Sequence, residues 1–527
     1  MQRNAERLTK ESFDVAVIGG GIHGVWIAAR AALAGYKVAL IERDDFGAAT
    51  SANSLKILHG GLRYLQHLDF RRMRSSIRAR REYLRLHPHL AQPLQSVIPL
   101  NATSIRSPWI MGPALVANDV LSYDRNIGVE SAARLPGGGL LSRQRAAMTL
   151  SPLAEQPLIA GALWWDGLAN DTSRIVLETV QRAAAAGAVV ANGVTATNYV
   201  LDGDRVVGIG ATDNFAGGRY LEIKAAVTIN ATGPWSTLLS RASRLPHEFL
   251  PRLWVGSLNV VLKRSLGNEV AVALSALSKA AAPSVLGKTR RELFFVPWRG
   301  VTMVGTDYHP VPAPVDGVLP PPPAGAVEAF VAEIASVAPK ARLSIDDVAR
   351  VHWGLLPGQD DSGTVPRKSP IILHGLPALG AAGLVVVVPE KFTSAPTVSQ
   401  TVLGVIKHAV ARKGVPPARE AVKLPPRGVA DFVRLRLLAR YGGENWASVL
   451  ETADGRPEWL TPVFSGVSPM LVVEVIHAIR HEMALELSHV LRRVGLDDAG
   501  PPPAELVRKI DQLARAEWAS LAAQGSI

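Results

Sequence analysis

The residues with the plainest chemical meaning in this 527-residue chain are three glycines, Gly19, Gly21 and Gly24, set as G-x-G-x-x-G. They follow a strand-like run at 13–18 and open a helix-like run at 24–34. In that setting the first glycine permits a tight turn and the second lets a pyrophosphate approach the backbone. The third lets helix pack on strand. The helix N-terminus then turns its positive dipole end toward the phosphates. Alone the pattern is weak, but Glu42 closes the next strand-like run, 36–42, at the spacing of a ribose-binding acid. A carboxylate there favours an unphosphorylated ribose, hence FAD or NAD over NADP. A second strand, 227–232, runs into a small-residue turn, Ala231-Thr232-Gly233. It would bring the chain back beside the nucleotide, as in two-dinucleotide-fold flavoproteins, and this selects FAD. His23, inside the first turn, is expected at the surface of the helix start.

The elements that must position these residues follow a mixed pattern. Strands 158–165 and 189–200 flank a helix at 171–186, and strands 255–262, 293–297 and 301–305 suggest a central antiparallel sheet. A Pro-rich loop spans 311–324, and helices are predicted at 69–86 and 326–337. Beyond 417 the pattern is helical: 429–441, 469–493 and 503–523. The fold class is therefore α/β: a Rossmann-type FAD-binding domain, an antiparallel-sheet substrate domain and an all-helical C-terminal domain. The expected division is 12–100, 155–240 and 345–410 for FAD, 101–154 and 241–344 for substrate, and 417–527 for the helices.

Composition bounds the rest. With 48% hydrophobic and 19% charged residues the chain can bury a large core. It has no cysteine, which excludes disulfides, iron–sulfur clusters, thiolate zinc sites and cysteinyl flavin and fits a reducing compartment. The N-terminus is polar, so a secretory signal is not expected. The longest apolar stretch, 375–389, is broken by Pro377 and glycines and reads as a loop and a buried strand at 384–388, not a membrane span. The expected location is cytoplasmic, with attachment to the cytoplasmic face of a membrane left open. The net charge is +12, and Arg71, Arg72, Arg74, Arg78, Arg80, Arg81 and Arg85 concentrate it on one helix. A solvated face and a peripheral membrane contact both fit this; nucleic acid is not expected as a partner, since no recognition motif accompanies the charge.

At this point the residues carry a resemblance. Thr50-Ser51 followed by Lys56-Ile57-Leu58-His59-Gly60-Gly61-Leu62-Arg63-Tyr64-Leu65 resembles the segment after the first βαβ unit of FAD-dependent glycerol-3-phosphate dehydrogenases. Asn230 to Trp235 is similar to their second FAD-contacting strand. Phe295-Val296-Pro297-Trp298 with Gly305-Thr306-Asp307 resembles their central sheet, and Lys391-Phe392-Thr393-Ser394 resembles their flavin-reaching Lys-x-Thr-Thr. Glu482-Met483-Ala484 and Leu491-Arg492-Arg493 resemble their C-terminal domain. The resemblance implies oxidation of sn-glycerol 3-phosphate to dihydroxyacetone phosphate, FAD as hydride acceptor and a quinone or oxygen as final acceptor. It implies FAD contacts from Thr50, Ser51, Lys56 and Thr393, and catalytic or substrate contacts from Lys391, His59, Arg63 and Tyr64. His352 and His309 are expected to be structural.

The chain also departs from the family. Leu356 stands in Gly354-Leu355-Leu356-Pro357 where the family often has a phosphate-binding arginine. Pro396 stands where it has a second, and Leu258 or Asn259 where it has a substrate-side histidine. Arg299, Arg367, Lys368 and Arg63 are candidate replacements. Two other readings therefore stay open: a flavin oxidoreductase of the same fold acting on another polyol, hydroxy acid or amine, and a non-catalytic flavin-binding scaffold. His477, His481 and His489 have zinc-compatible helical spacing, but no His-Glu-x-x-His is present, and a helix surface or interdomain contact is expected rather than a metal.

Overall fold

A computed structural model describes residues 1–102, 106–154, 157–277, 290–359, 364–411, 429–463 and 470–524. Strand Ser12–Ile18 lies at the centre of the first sheet. Val15 and Val17 enter one buried cluster, Phe13, Ala16 and Ile18 another, so both faces of the strand are covered. That double burial is what a parallel strand requires. Its neighbours are Val38–Ile41 and Arg219–Asn230, both parallel, flanked by Val189–Ala191 and Leu384–Val388. Antiparallel Ile371–His374 closes one edge, and the hairpin of Val194–Asp202 and Arg205–Asp213 pairs with the first half of Arg219–Asn230 on the same side as Leu384–Val388. The run read as one strand, 189–200, is thus two strands, parted at Asn192-Gly193, where Gly193 has φ 66°. Leu384–Val388 is buried throughout, as its apolar run predicts.

Helix Ile22–Leu33 covers this sheet and packs against helices Thr172–Ala185 and Ala395–Ala409. The second sheet runs, in order, Val348–Pro357, Leu253–Leu262, Val301–Pro312, Arg290–Trp298, Ala271–Leu277, Ala91–Leu100, Ala160–Ala169 and Ile57–Leu58. Here the structure differs from the expected division. Ile57–Leu58, Ala91–Leu100, Ala160–Ala169 and Val348–Pro357 were assigned to the FAD domain but pair in the second sheet. The chain weaves between the sheets, and a strand's partner is not written in its own residues.

The arginine-rich helix, Phe70–Leu86, is capped by Asp69, and its face of Met73, Ser76, Ile77, Arg80, Tyr83 and Leu84 is buried. Arg72 pairs with Asp69, Arg74 and Arg81 with Asp124, Arg80 with Asp166 and Arg85 with Glu82. Most of the charge that suggested a free basic face is therefore neutralised within the fold. Helix Pro108–Leu121, by contrast, presents Trp109 (86% exposed), Ile110, Val116 and Val120 to solvent and buries only Leu115.

The C-terminal region is helical, with Asp431–Ala453 kinked at Gly442, then Val472–His481, Leu487–Arg493 and Ala504–Ala523. The single helix predicted over 469–493 is two. Met483 takes a left-handed φ of 55°, and the Ala484 N–H returns to the Ala478 carbonyl, closing the first helix. Good helix formers occupy the break, so tertiary packing decides it: Glu482 is fully buried against Arg174 of helix Thr172–Ala185, at 2.6 Å.

Candidate cofactor and substrate site

A cavity of about 630 Å³ opens at the carboxyl ends of the parallel strands, where ligands of doubly wound sheets bind. Ile18, Glu42, Ala231 and Pro389, each at or just past one of those strand ends, line it. The glycine turn supplies the floor. Gly19 has φ 105°, and a Cβ there would fall 2.7 Å from the Ala231 carbonyl oxygen. A Cβ on Gly24 would fall 1.9 Å from the Gly19 carbonyl oxygen. Helix and strand touch because both positions lack side chains. Gly21 is the N-cap of helix Ile22–Leu33 and contributes no side chain, so the positive helix end opens on the cavity.

Glu42 accepts from the Gly20 N–H at 2.6 Å and the Asp44 N–H at 2.9 Å, and burial pushes its carboxyl up. Ser51 accepts from the Ile22 N–H at 3.0 Å, and Thr50 accepts from the Leu355 N–H at 3.2 Å, tying the 50–58 loop to both layers. The Asn230 side-chain oxygen accepts from the Thr232 N–H at 3.1 Å and hydroxyl at 2.7 Å, which shapes the Ala231–Gly233 turn. Glu42, Thr50, Ser51, Thr232 and Thr393 border the same space, and its size and donor set suit a dinucleotide.

Two expectations for this end are corrected. His23 is buried, not at the surface; its Nε2 lies 3.3 Å from the Ser394 hydroxyl, which donates to Glu390 at 3.1 Å. Burial takes its imidazole down to about 3, so it is neutral. Lys56 lines the cavity, but its ammonium gives its three protons to Ala52 O (2.7 Å), Thr172 Oγ1 (2.8 Å) and Asp498 Oδ2 (3.1 Å). It holds protein together and has no donor left for a cofactor.

At the substrate end, Lys391 follows strand Leu384–Val388 and donates to the Tyr64 hydroxyl at 2.8 Å and the Ser76 hydroxyl at 2.9 Å. The Tyr64 ring is flanked by the Arg72 guanidinium at 4.9 Å and the Lys391 ammonium at 5.1 Å. One Lys391 proton remains free of these two bonds. His59 lines the cavity half-exposed, with Nδ1 3.9 Å from Asp166. Asp166 also accepts from the Gly60 N–H (2.6 Å), Arg80 (2.8 Å) and the Trp164 indole (3.0 Å). Burial opposes its charge, yet the neighbouring His59 ring and the Arg80 charge hold its carboxyl well below the usual range.

Asp166, Arg80 and Ser76 escaped the sequence reading. A lone acid in the apolar run Leu163-Trp164-Trp165-Asp166-Gly167 was the available signal, because a charge inside a strand must find a partner. The candidate phosphate ligands also sort themselves. Arg299 is committed to Asp171 at 2.8 Å, while Arg367 and Lys368 are exposed and do not border the cavity. Arg63 is exposed and makes no ion pair among the described residues. Leu356 lines the cavity as an apolar wall. Leu258 is core, and buried Asn259 accepts from the Thr306 hydroxyl at 2.7 Å. His352 and His309 are structural: the first bonds Asp498 O at 2.8 Å, the second sits 3.1 Å from Asp307. His477 bonds Thr452 at 2.7 Å and His489 packs on Phe215, an interdomain contact as expected.

The family model for FAD dependent oxidoreductase matches residues 14–401. Glycerol-3-phosphate dehydrogenase of Synechocystis sp. is 28% identical over 93% of this chain and 90% of its own. Glycerol-3-phosphate dehydrogenase 2 of Mycobacterium tuberculosis is 30% identical over 93% and 81%. The structure of glycerol-3-phosphate dehydrogenase from Bacillus halodurans complexed with FAD superposes with a TM-score of 0.70, at 21% identity, over 98% of this chain and 92% of that one, and shares its fold.

Proposed function

We propose, for a chain that belongs to the FAD dependent oxidoreductase family and binds FAD, that the substrate is sn-glycerol 3-phosphate and the product dihydroxyacetone phosphate. The observation that carries this reading is the meeting of His59 and Lys391 in the cavity that the glycine turn opens. FAD, when bound, supplies the two-electron hydride acceptor. Gly19, Gly21 and the helix end hold its pyrophosphate, with Gly24 letting the helix close on the strand behind them; Glu42 holds its ribose, and Ala231–Gly233 with Thr393 the remainder.

The protein's own groups do the rest. His59 takes the proton of the C2 hydroxyl, and Asp166 behind it stabilises the imidazolium that forms. Lys391 directs its remaining proton to the substrate oxygen, oriented by Tyr64 and Ser76. Arg299 and Lys56 are committed elsewhere, and Arg63, like Arg367 and Lys368, does not border the cavity, so Lys391 is the cation on its wall without an ion pair among the described residues. Electrons leave to a quinone-type acceptor, reached where helix Pro108–Leu121 lays Trp109, Val116 and Val120 against a membrane surface. Co-sedimentation with phospholipid vesicles that is lost in Trp109→Ser supports this surface; co-sedimentation of both forms alike removes it.

The decisive experiment is anaerobic titration of the FAD-loaded protein with glycerol 3-phosphate, following the oxidised flavin's visible absorbance. Bleaching by this substrate and not by glycerol is expected. No bleaching, in protein that dithionite bleaches fully, overturns the substrate assignment.

A further inference from the structure

Two loops border the FAD cavity beside the glycine turn, and both are gripped from behind by one segment of the helical region. The first loop follows Glu42. Its Asp45, fully buried, accepts from Arg493 at 2.6 and 2.7 Å and from Arg492 at 2.8 Å. The second loop carries Thr50 to Leu58. Its Lys56, also fully buried, donates to Asp498 at 3.1 Å, and Asp498 presents its carbonyl to His352 at 2.8 Å. The other ring nitrogen of His352 lies 3.2 Å from the Ser54 carbonyl, on the same loop. Asp45, Ser54 and Lys56 all line the cavity. The FAD family match ends at 401, so the residues that grip these loops lie outside the matched unit.

We propose that the 492–498 segment is a cofactor clamp: through Asp45 and Lys56 it positions both loops that wall the FAD cavity, so that FAD binding and docking of the C-terminal helices stabilise each other. The physical reason lies in the burial of the pairs. A buried charge deprived of its partner is far more costly than a buried pair, so the loops hold their places only while the segment is seated. In turn, Arg493 and Asp498 of the segment find their opposite charges on the loops, at Asp45 and Lys56, while Arg492 also pairs within the segment with Asp497 at 3.0 Å. Coupling of this kind is reciprocal by thermodynamic necessity: whatever factor docking lends to FAD affinity, FAD lends to docking. Asp498 is thus a positioning residue, acting on the cofactor through Lys56.

The test uses the full-length chain in FAD-free and FAD-loaded forms. Amide hydrogen exchange in peptides covering 487–498 is expected to slow about tenfold or more on FAD addition. Asp498→Asn is expected to raise the FAD dissociation constant about ten- to hundredfold, as loss of a charge-assisted bond predicts. Asp498→Glu keeps the charge and is expected to restore most of that affinity. A purely structural Asp498 would instead lower the unfolding midpoint of the FAD-free protein and leave the dissociation constant alone. Wild-type affinity in a folded Asp498→Asn protein overturns the clamp. So does exchange at 487–498 that is indifferent to FAD, and that measurement stands whether or not the variant folds.

Discussion

Replacing Lys391 with methionine is the sharpest test of the proposed chemistry. The ammonium makes two bonds inside the protein, to Tyr64 at 2.8 Å and Ser76 at 2.9 Å, and has one proton left. That proton is the part assigned to the substrate, and a hydrogen bond from a charged donor contributes about 1.5–3 kcal/mol. Its loss translates to a fall of about 10- to 150-fold in the rate of flavin reduction. Methionine keeps the length and apolar bulk, so the cavity retains its shape. The buried Ser76 hydroxyl loses its donor, at a cost to stability of about 1–3 kcal/mol. Rapid mixing of anaerobic, FAD-loaded protein with glycerol 3-phosphate, read at the flavin's visible band, measures the rate. A full complement of FAD in the variant separates chemistry from cofactor loss. A rate equal to that of the unaltered protein would remove Lys391 from the reaction and refute the reasoning.

Other consequences follow from the same geometry. Gly24→Ala places a methyl 1.9 Å from the Gly19 carbonyl, forcing helix from strand by about 1 Å, and the protein is expected to purify without flavin; stoichiometric FAD in its absorbance spectrum would contradict the close packing. Leu356→Arg restores a cation to the cavity wall. A bond of about 1.5–3 kcal/mol, less about 2 for ordering the side chain, leaves at most about 1 kcal/mol, so glycerol 3-phosphate should tighten by up to about fivefold and glycerol stay unchanged. Equal effects on both would show that the wall does not face the phosphate. Burial holds His23 and His477 at about 3 and His352 at about 4, below their ordinary value of 6.5. The unfolded chain therefore binds protons that the folded chain refuses, so their contribution to stability is complete above 6.5 and is lost as pH falls toward 4. Each histidine adds a slope of up to about 1.4 kcal/mol per pH unit. Thermal midpoints should fall steeply from about pH 6.5 to about pH 4, and a flat profile there would mean that these rings are not buried neutral.

What could be read from the residues alone was local. The glycine turn, its flanking strands and the acid at Glu42 lie within about one βαβ unit, and their spacing reflects sterics between adjacent segments. The apolar run 384–388 and the helix at 326–337 were legible for the same reason: a buried strand and an amphipathic helix each declare themselves within their own length. Of the residues the resemblance singled out, Lys391 and His59 line the cavity and Tyr64 accepts from Lys391, whereas Arg63 does not border it. Only the tertiary structure decided which charges are free. Lys56 and Arg299 look available in the sequence and are consumed by Asp498 and Asp171; the arginine helix looks like a basic face and is neutralised by Asp69, Asp124, Asp166 and Glu82. Whether a strand joins the first or second sheet, and whether His23 is buried, depend on partners far along the chain. Asp45 and Arg493 meet across 448 positions. A charge in a folded chain is defined by what stands opposite it, and that is a property of long-range contacts which no local pattern encodes.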